Sequence, residues 1–222
     1  RIFIVGLPRC GSTLVEAILS MANDTFCLGE SGYLMEVISD LGIIKFLETK
    51  VSYDKKFHEK MNLIDQLYRK ELSISNSIKI DKTLTNFYLA GLISRVWPAA
   101  KIIHVKRQPL DQILSAWKSR FLKGHSYSLD LNDLIKVYIS YCDLMCFWQR
   151  ELADRVYTCN YEDLVSSPYA ETKKLADFCE LKWNERMLSP QETKLLIKTA
   201  SYKQVREPIN DRSINSWRVY SE

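Results

Sequence analysis

Apolar residues along the chain fall into short continuous runs separated by stretches with helical spacing. Ile2-Phe3-Ile4-Val5 is a run of four ended by Gly6, the pattern of a strand buried on both faces, and apolar positions from Ser12 to Ser20 then follow helical spacing. A shorter strand is expected from Thr25 to Leu28. The order of strand then helix returns at Ile78 to Ile80 with Phe87 to Trp97, at Ile102 to Val105 with Leu110 to Phe121, and at Val156 to Cys159 before later helices. Strands interleaved with helices imply a parallel sheet, so the expected fold class is α/β, with a central parallel sheet flanked by helices in three layers.

From Leu34 to Ser75 the pattern changes. Met61, Ile64, Tyr68 and Leu72 sit at three- and four-residue steps among many charges, which predicts amphipathic helices. This reads as a helical insertion, about 34–75, placed to cap a site. A long helix is expected from Leu131 to Leu152, and Ser167-Pro168 reads as an N-cap and first-turn proline opening a helix that runs through Cys179. The tail from Thr199 has weak periodicity, and no internal repeat is visible.

Composition narrows the classes. With 222 residues, 46% hydrophobic and 26% charged, the chain suits one globular domain, 1–222, with a sizeable core. No apolar run approaches the roughly 18 residues of a membrane span, and there is no charged-then-apolar leader. The chain opens at Arg1 without a starting Met, which leaves room for an upstream segment and for targeting information on it. Lys and Arg number 31 against 27 Asp and Glu, too modest an excess for the basic stripe of a nucleic-acid binder, so any anion preference must be local. The six cysteines lack paired C-x-x-C spacing, and Cys142 and Cys146, one helical turn apart, read as core residues. His58, His104 and His125 are scattered, and no metal site is expected. Asn23-Asp24-Thr25 is a glycosylation triplet of the kind that arises by chance.

Gly6-Leu7-Pro8-Arg9-Cys10-Gly11-Ser12-Thr13 occupies the frame of a phosphate-binding loop, G-x-x-x-x-G-K-[ST], between a strand and a helix, so the fold is expected to be of P-loop type. Its glycines let backbone N–H groups turn toward an anion at a helix N-terminus. Ser12 stands where a lysine would reach the outer phosphates of a nucleoside triphosphate, which argues against a small-molecule kinase. Arg9 instead puts a planar guanidinium in the loop, suited to a tetrahedral oxyanion. Cys10 lies just ahead of the helix beside Arg9, where a thiolate would be favoured. The competing expectation is an inert sulfur turned inward.

Pro8-Arg9-Cys10-Gly11-Ser12-Thr13-Leu14-Val15-Glu16 resembles the 5′-phosphosulfate loop, PR-S-G-T-T-L-V-E, of sulfotransferases that use 3′-phosphoadenosine 5′-phosphosulfate (PAPS), in the subgroup found with tetratricopeptide repeats and related to tyrosylprotein sulfotransferases. Lys101 to Ser115 resembles that family's 3′-phosphate motif, in which an arginine at a strand end and a serine eight residues later grip the phosphate. Arg107 and Ser115 fall at those positions. The similarity continues through Asp81-Lys82, Asn86-Phe87, Gly91-Leu92-Ile93, Trp97-Pro98, Tyr161-Glu162-Asp163-Leu164 and the tail from Ser201 to Trp217. It covers nearly the whole chain except the insertion.

The resemblance implies sulfuryl transfer from PAPS to a hydroxyl-bearing acceptor without a metal. It implies Glu30 as general base, Lys82 at the bridging oxygen of the leaving group, Arg9 with Ser12 and Thr13 at the transferred group, and Ser201 near the leaving group. It further implies nucleotide contacts from Cys10, Gly11, Tyr161, Gln204 and Arg206, the last two in a loop that closes over the nucleotide. Departures are Cys10 for serine, Leu84 for the proline of D-K-x-P, and Ser216 for a basic residue before the tail tryptophan, so Arg206, Arg212 or Arg218 could share the phosphate grip. Cys27 matches a disulfide cysteine of secretory-pathway members, but its partner position is Ile80, which favours a cytoplasmic location while leaving the secretory pathway open. A non-catalytic nucleotide-binding module would keep Arg107 and Ser115 but has no reason to keep both Glu30 and Lys82. Upstream repeats on a longer chain would fit the subgroup.

Overall fold

A computed structural model of the chain describes residues 1–44, 55–71, 77–119, 121, 124–195 and 205–220. Five strands, β1 (Ile2–Val5), β2 (Thr25–Cys27), β3 (Ile78–Asp81), β4 (Lys101–Lys106) and β5 (Val156–Asn160), form one sheet in the order β2-β3-β1-β4-β5. Every neighbouring pair is parallel, with Ile4 opposite Ile103 across β1 and β4, and Cys27 opposite Ile80 across β2 and β3. The expected parallel α/β sheet is present.

Helices cover both faces because successive side chains of a strand point to opposite sides. Ile2 and Ile4 pack with Val15, Ile18 and Leu19 of α1 (Ser12–Ser20) and with Leu175 and Ala176 of α8 (Pro168–Phe178). Phe3 and Val5 face the other way, into a cluster with α2 (Tyr33–Asp40), α3 (Lys55–Glu71), α4 (Ala90–Val96) and α6 (Leu131–Glu151). The Tyr68 ring of α3 packs at a tilt against both Phe3 and Trp97, and its hydroxyl donates to Asp81 Oδ2 at 2.6 Å. Each such fully buried apolar or aromatic side chain contributes about 1.5–3 kcal/mol. The described part of the insertion therefore builds the layer over one sheet face, where the sequence suggested a cap over the site. Leu72 lies outside the described residues.

Remaining elements follow the expected pattern with local adjustments. The stretch from Phe87 to Trp97 divides into a 3₁₀ helix, Leu84–Leu89, and α4. The helix α5 (Pro109–Lys118) starts on a proline, and Gln108 caps it by accepting the Asp111 N–H at 2.7 Å. α6 reaches Glu151, within a residue of the expectation. After β5 come α7 (Tyr161–Ser166) and α8, which opens at Pro168 as predicted, although the Ser167 side chain makes no capping bond. Cys142 is half-buried and Cys146 exposed, so the second of these is not a core residue as expected, because it lies on the outer face of α6. Among the described residues no helix is long and apolar enough to cross a membrane.

Candidate active site

The carboxyl ends of the five strands lie along one edge of the sheet, the edge where open parallel sheets bind ligands. β1 feeds the glycine loop and β2 leads to Glu30, while Lys82, Arg107 and Tyr161 each directly follow the last residue of β3, β4 and β5. Residues far apart in sequence are gathered there by topology alone.

Two glycines of the loop are required by what packs against them. A Cβ on Gly6 would lie 2.8 Å from Cys10 Sγ and 3.0 Å from the Val105 carbonyl. Gly11 has φ 101°, and a Cβ there would sit 2.5 Å from Cδ2 of Tyr161. Arg9 also takes a positive φ, 70°. The loop is pinned from outside by Gln112, whose Nε2 donates to the carbonyls of Leu7 and Pro8 at 3.1 and 3.2 Å, and by Arg107, whose Nη1 donates to the Arg9 carbonyl at 3.1 Å. Gly11 is the N-cap of α1 and supplies no capping side chain, which leaves that helix end open to an anion.

Cys10 overturns the thiolate expectation. Its side chain is fully buried, with the sulfur packed over Gly6, and burial raises its pKa, outweighing Ser12 and Lys82, which pull it down. Desolvation of a charge in the core defeats the helix end and the arginine nearby. The backbone of the loop faces the ligand edge while this side chain faces the protein.

Arg9, Gly11, Thr13, Leu14, Arg107 and Tyr161 line a cavity of about 220 Å³, closed on its far side by Val205 and by Glu207 to Asn210, with Arg212 and Ser213. Arg9 Nε donates to Ser115 Oγ at 2.9 Å. Burial lowers the pKa of Arg9, and the charge of Arg107 lowers it further. Arg107 is 6% exposed and lies over the Tyr161 ring, 4.7 Å from its centroid. Its Nη2 donates to the Ser213 carbonyl at 2.7 Å, and its Nε is buried with no hydrogen-bond partner among the described residues. Two neighbouring guanidiniums, a buried N–H without a partner among the described residues and an open helix end are the groups that can pair with a multiply charged anion.

On the other side of the loop, Lys82 is 1% exposed and donates to Glu30 Oε1 at 2.7 Å. Glu16, buried on α1, places Oε2 3.8 Å from the same ammonium and accepts the Gly29 N–H on Oε1 at 3.0 Å. Thr83 Oγ1 accepts the Gly32 N–H at 3.0 Å, so the turn that carries Glu30 is tied at both ends. His125 lies within electrostatic reach of Glu30, although burial lowers its pKa more than that carboxylate raises it.

The structure thus brings Arg9, Gly11, Thr13, Arg107, Ser115 and Tyr161 together, with Glu30 and Lys82 paired nearby. Ser12 sits buried at the first position of α1, outside the cavity wall. Arg206 departs from expectation: its guanidinium donates to the Thr193 and Leu195 carbonyls, and the cavity is lined by Arg212 instead. Ser201 and Gln204 lie outside the described residues. Three supporting side chains had no role assigned from sequence: Glu16, Gln112 and Asp111. Asp111, 1% exposed, accepts from Asn215 N, Ser216 Oγ and Trp217 N at 2.7–2.9 Å. In the sequence Asp111 lies one helical turn before Ser115, on the same helical face, and nothing else marks it.

A family model described as "Sulfotransferase family" matches residues 1–185. An uncharacterized protein of Aquifex aeolicus (strain VF5) is 30% identical over 235 residues, an alignment that takes in 100% of this chain and 31% of that protein. A putative protein-tyrosine sulfotransferase of Caenorhabditis briggsae is 24% identical over 243 residues, covering 97% of this chain and 80% of the relative. The chain therefore spans about a third of the length of the first of these relatives and four fifths of the second. Among solved structures, the sulfotransferase domain of the Synechococcus PCC 7002 olefin synthase is similar in fold, with a TM-score of 0.68 at 19% identity over 98% of this chain and 86% of that one.

Proposed function

This chain belongs to the sulfotransferase family, and from that membership we propose that it moves a sulfuryl group from PAPS to the hydroxyl of an acceptor, releasing adenosine 3′,5′-bisphosphate (PAP). The observation that carries the reading is Arg107: a buried guanidinium beside Arg9, with an unpartnered Nε, at the wall of a cavity bounded by an open helix end. The residues present fit the nucleotide. Arg107 and Ser115, with Arg9 bonded to that serine, suit the 3′-phosphate. The Gly11 turn and the N-terminus of α1, with Thr13, suit the phosphosulfate end. Leu14, Val205, Pro208 and Ile209 supply apolar contact for the nucleoside.

Glu30 and Lys82 divide the chemistry. Glu30 is half-exposed, and the oxygen that Lys82 does not hold can accept the acceptor's proton as the acceptor oxygen bonds to sulfur. The bond from sulfur to the bridging oxygen breaks in the same in-line displacement, and that oxygen leaves with the electron pair as part of PAP. The Lys82 ammonium stabilises the charge that develops there, and loop N–H groups with Thr13 stabilise the sulfuryl oxygens, each preorganised donor contributing roughly 3–4 kcal/mol, while Arg9, drawn to Ser115, stands at the 3′-phosphate end.

Radiolabelled PAPS incubated with a panel of phenols, alcohols and tyrosine peptides tests the reading. Label transferred to one of them, with PAP released in equal amount, is the expected result. Tight binding of ATP with none of PAP would support a kinase and overturn it.

A further inference from the structure

Lys82 lies between two carboxylates that differ in their access to solvent. Glu30 meets it at 2.7 Å from the exposed turn after β2, while Glu16 approaches from inside the protein at 3.8 Å and is 4% exposed. The other oxygen of Glu16 holds the Gly29 N–H, next to Glu30 in the chain. Burial raises the pKa of Glu16, and Lys82 and the Gly29 N–H draw it back down, so the carboxylate depends on both partners to hold its charge.

We propose that Glu16 is a positioning residue for sulfuryl transfer, serving as the standing counter-charge of Lys82 and as the anchor of the turn that carries Glu30. The inference rests on the functional reading above. When Glu30 takes the acceptor's proton it becomes neutral, and it does so as negative charge grows on the leaving oxygen. From that moment Glu16 is, of the two carboxylates beside the buried ammonium, the one that stays ionised, and it is sealed away from the acceptor and cannot itself be the base. The other ionisable groups that interact with the Glu16–Lys82 pair are Glu30, Asp81, Cys10 and Cys27. Asp81 is engaged by the Tyr68 hydroxyl and the Thr83 N–H. Burial pushes both thiols up, so they stay uncharged. None replaces Glu16.

Glu16→Gln tests the charge, because glutamine keeps the side-chain length and an oxygen for the Gly29 N–H. Expected are PAP affinity within about twofold of wild type and a kcat lower by about tenfold near neutral pH, with the loss growing toward alkaline pH, where an ammonium deprived of its counter-charge is harder to keep. A merely structural role lowers kcat by one factor at every pH, and a Glu16→Gln profile parallel to wild type overturns the inference. The double variant Glu16→Gln/Lys82→Met provides a second measure that does not leave a lone buried charge. If Glu16 acts through Lys82, the double variant turns over within about twofold of Lys82→Met alone, whereas a further tenfold loss overturns the inference. Wild-type protein that binds PAP but transfers nothing from PAPS would sink the functional reading instead, a result distinct from either of these.

Discussion

Arg107 donates through Nη2 to the Ser213 carbonyl at 2.7 Å, joining the end of β4 to the C-terminal segment that closes the cavity. The same guanidinium holds the Arg9 carbonyl and rests on Tyr161, so one side chain ties loop, tail and platform together. If it also takes the 3′-phosphate, PAP gains charge-assisted hydrogen bonds of about 1.5–3 kcal/mol each over 5′-AMP, which corresponds to at least about tenfold in affinity. Calorimetry on wild type and Arg107→Ala should show that preference and then its loss. Equal affinities for PAP and AMP in wild type would remove Arg107 and Ser115 from the phosphate.

Glu30 and Lys82 predict a split between binding and turnover. Glu30→Gln keeps the shape and a hydrogen-bond acceptor for Lys82 but removes the base, so kcat should fall by about a hundredfold or more while PAP affinity stays nearly constant. Lys82→Ala should lower kcat too, with a loss of stability because it leaves Glu16 buried without its partner. Normal turnover by Glu30→Gln would place the base elsewhere.

At Gly11 the expected effect is steric. Alanine would have to hold φ near 101° with its Cβ 2.5 Å from the Tyr161 ring, and the conformation alone costs about 1–3 kcal/mol. Gly11→Ala should lower the melting temperature and, by displacing the ring beneath Arg107, weaken PAP more than AMP. A variant with wild-type PAP affinity would show that the ring moves freely.

Much of this site was legible in the sequence because its parts are local. The run Ile2 to Val5, its glycine stop and the helix after it need no tertiary information, and Arg107 and Ser115 lie eight residues apart on a strand end and the next helix. The direction of Cys10 was not readable, because it depends on the space over Gly6 and on burial that only the packed sheet creates. Asp111 meets partners 104 to 106 residues away, and no spacing rule reaches that far. Arg206 and Arg212 look alike in sequence; the Thr193 and Leu195 carbonyls draw the first of them away from the cavity. The insertion showed its amphipathic period, but the face it covers is set by Tyr68 reaching Phe3, Trp97 and Asp81.

His104 predicts an acid sensitivity of the fold. It is buried in β4, with Nε2 2.6 Å from the Tyr141 hydroxyl, and burial, helped by Lys106, lowers its pKa from 6.5 to about 4. A histidine whose folded pKa is depressed binds its proton more readily when unfolded. Its contribution is therefore fully present above about pH 6.5 and is lost as pH falls toward 4, by about 3 kcal/mol over that interval. Carboxylates titrate in the same range, so the useful quantity is the difference between wild type and His104→Gln in urea midpoints from pH 7 to pH 4. That difference should shrink on acidification, and a constant difference would mean that His104 is not held neutral.

Asp111 predicts a coupling between the tail and the nucleotide. Its Oδ1 accepts from Ser216 Oγ and Trp217 N, and its Oδ2 from Asn215 N, so the carboxylate closes the segment that begins at the cavity wall and passes Ser213. Asparagine in its place keeps one accepting oxygen and sets an NH₂ group against a donor on the other side, leaving a part-buried donor without its acceptor at a cost of up to about 1–3 kcal/mol. The sheet and the glycine loop have no bond to this carboxylate, so Asp111→Asn should preserve the far-ultraviolet circular dichroism spectrum. Release of Asn215 to Trp217 would loosen Ser213, and with it the carbonyl that fixes one end of the Arg107 fork. Limited proteolysis should then cut the variant after residue 205 faster than wild type, PAP should weaken by about tenfold, and saturating PAP should slow the cleavage. Cleavage and PAP affinity both equal to wild type would show that the tail is held by its other contacts and that Asp111 has no part in closing the cavity.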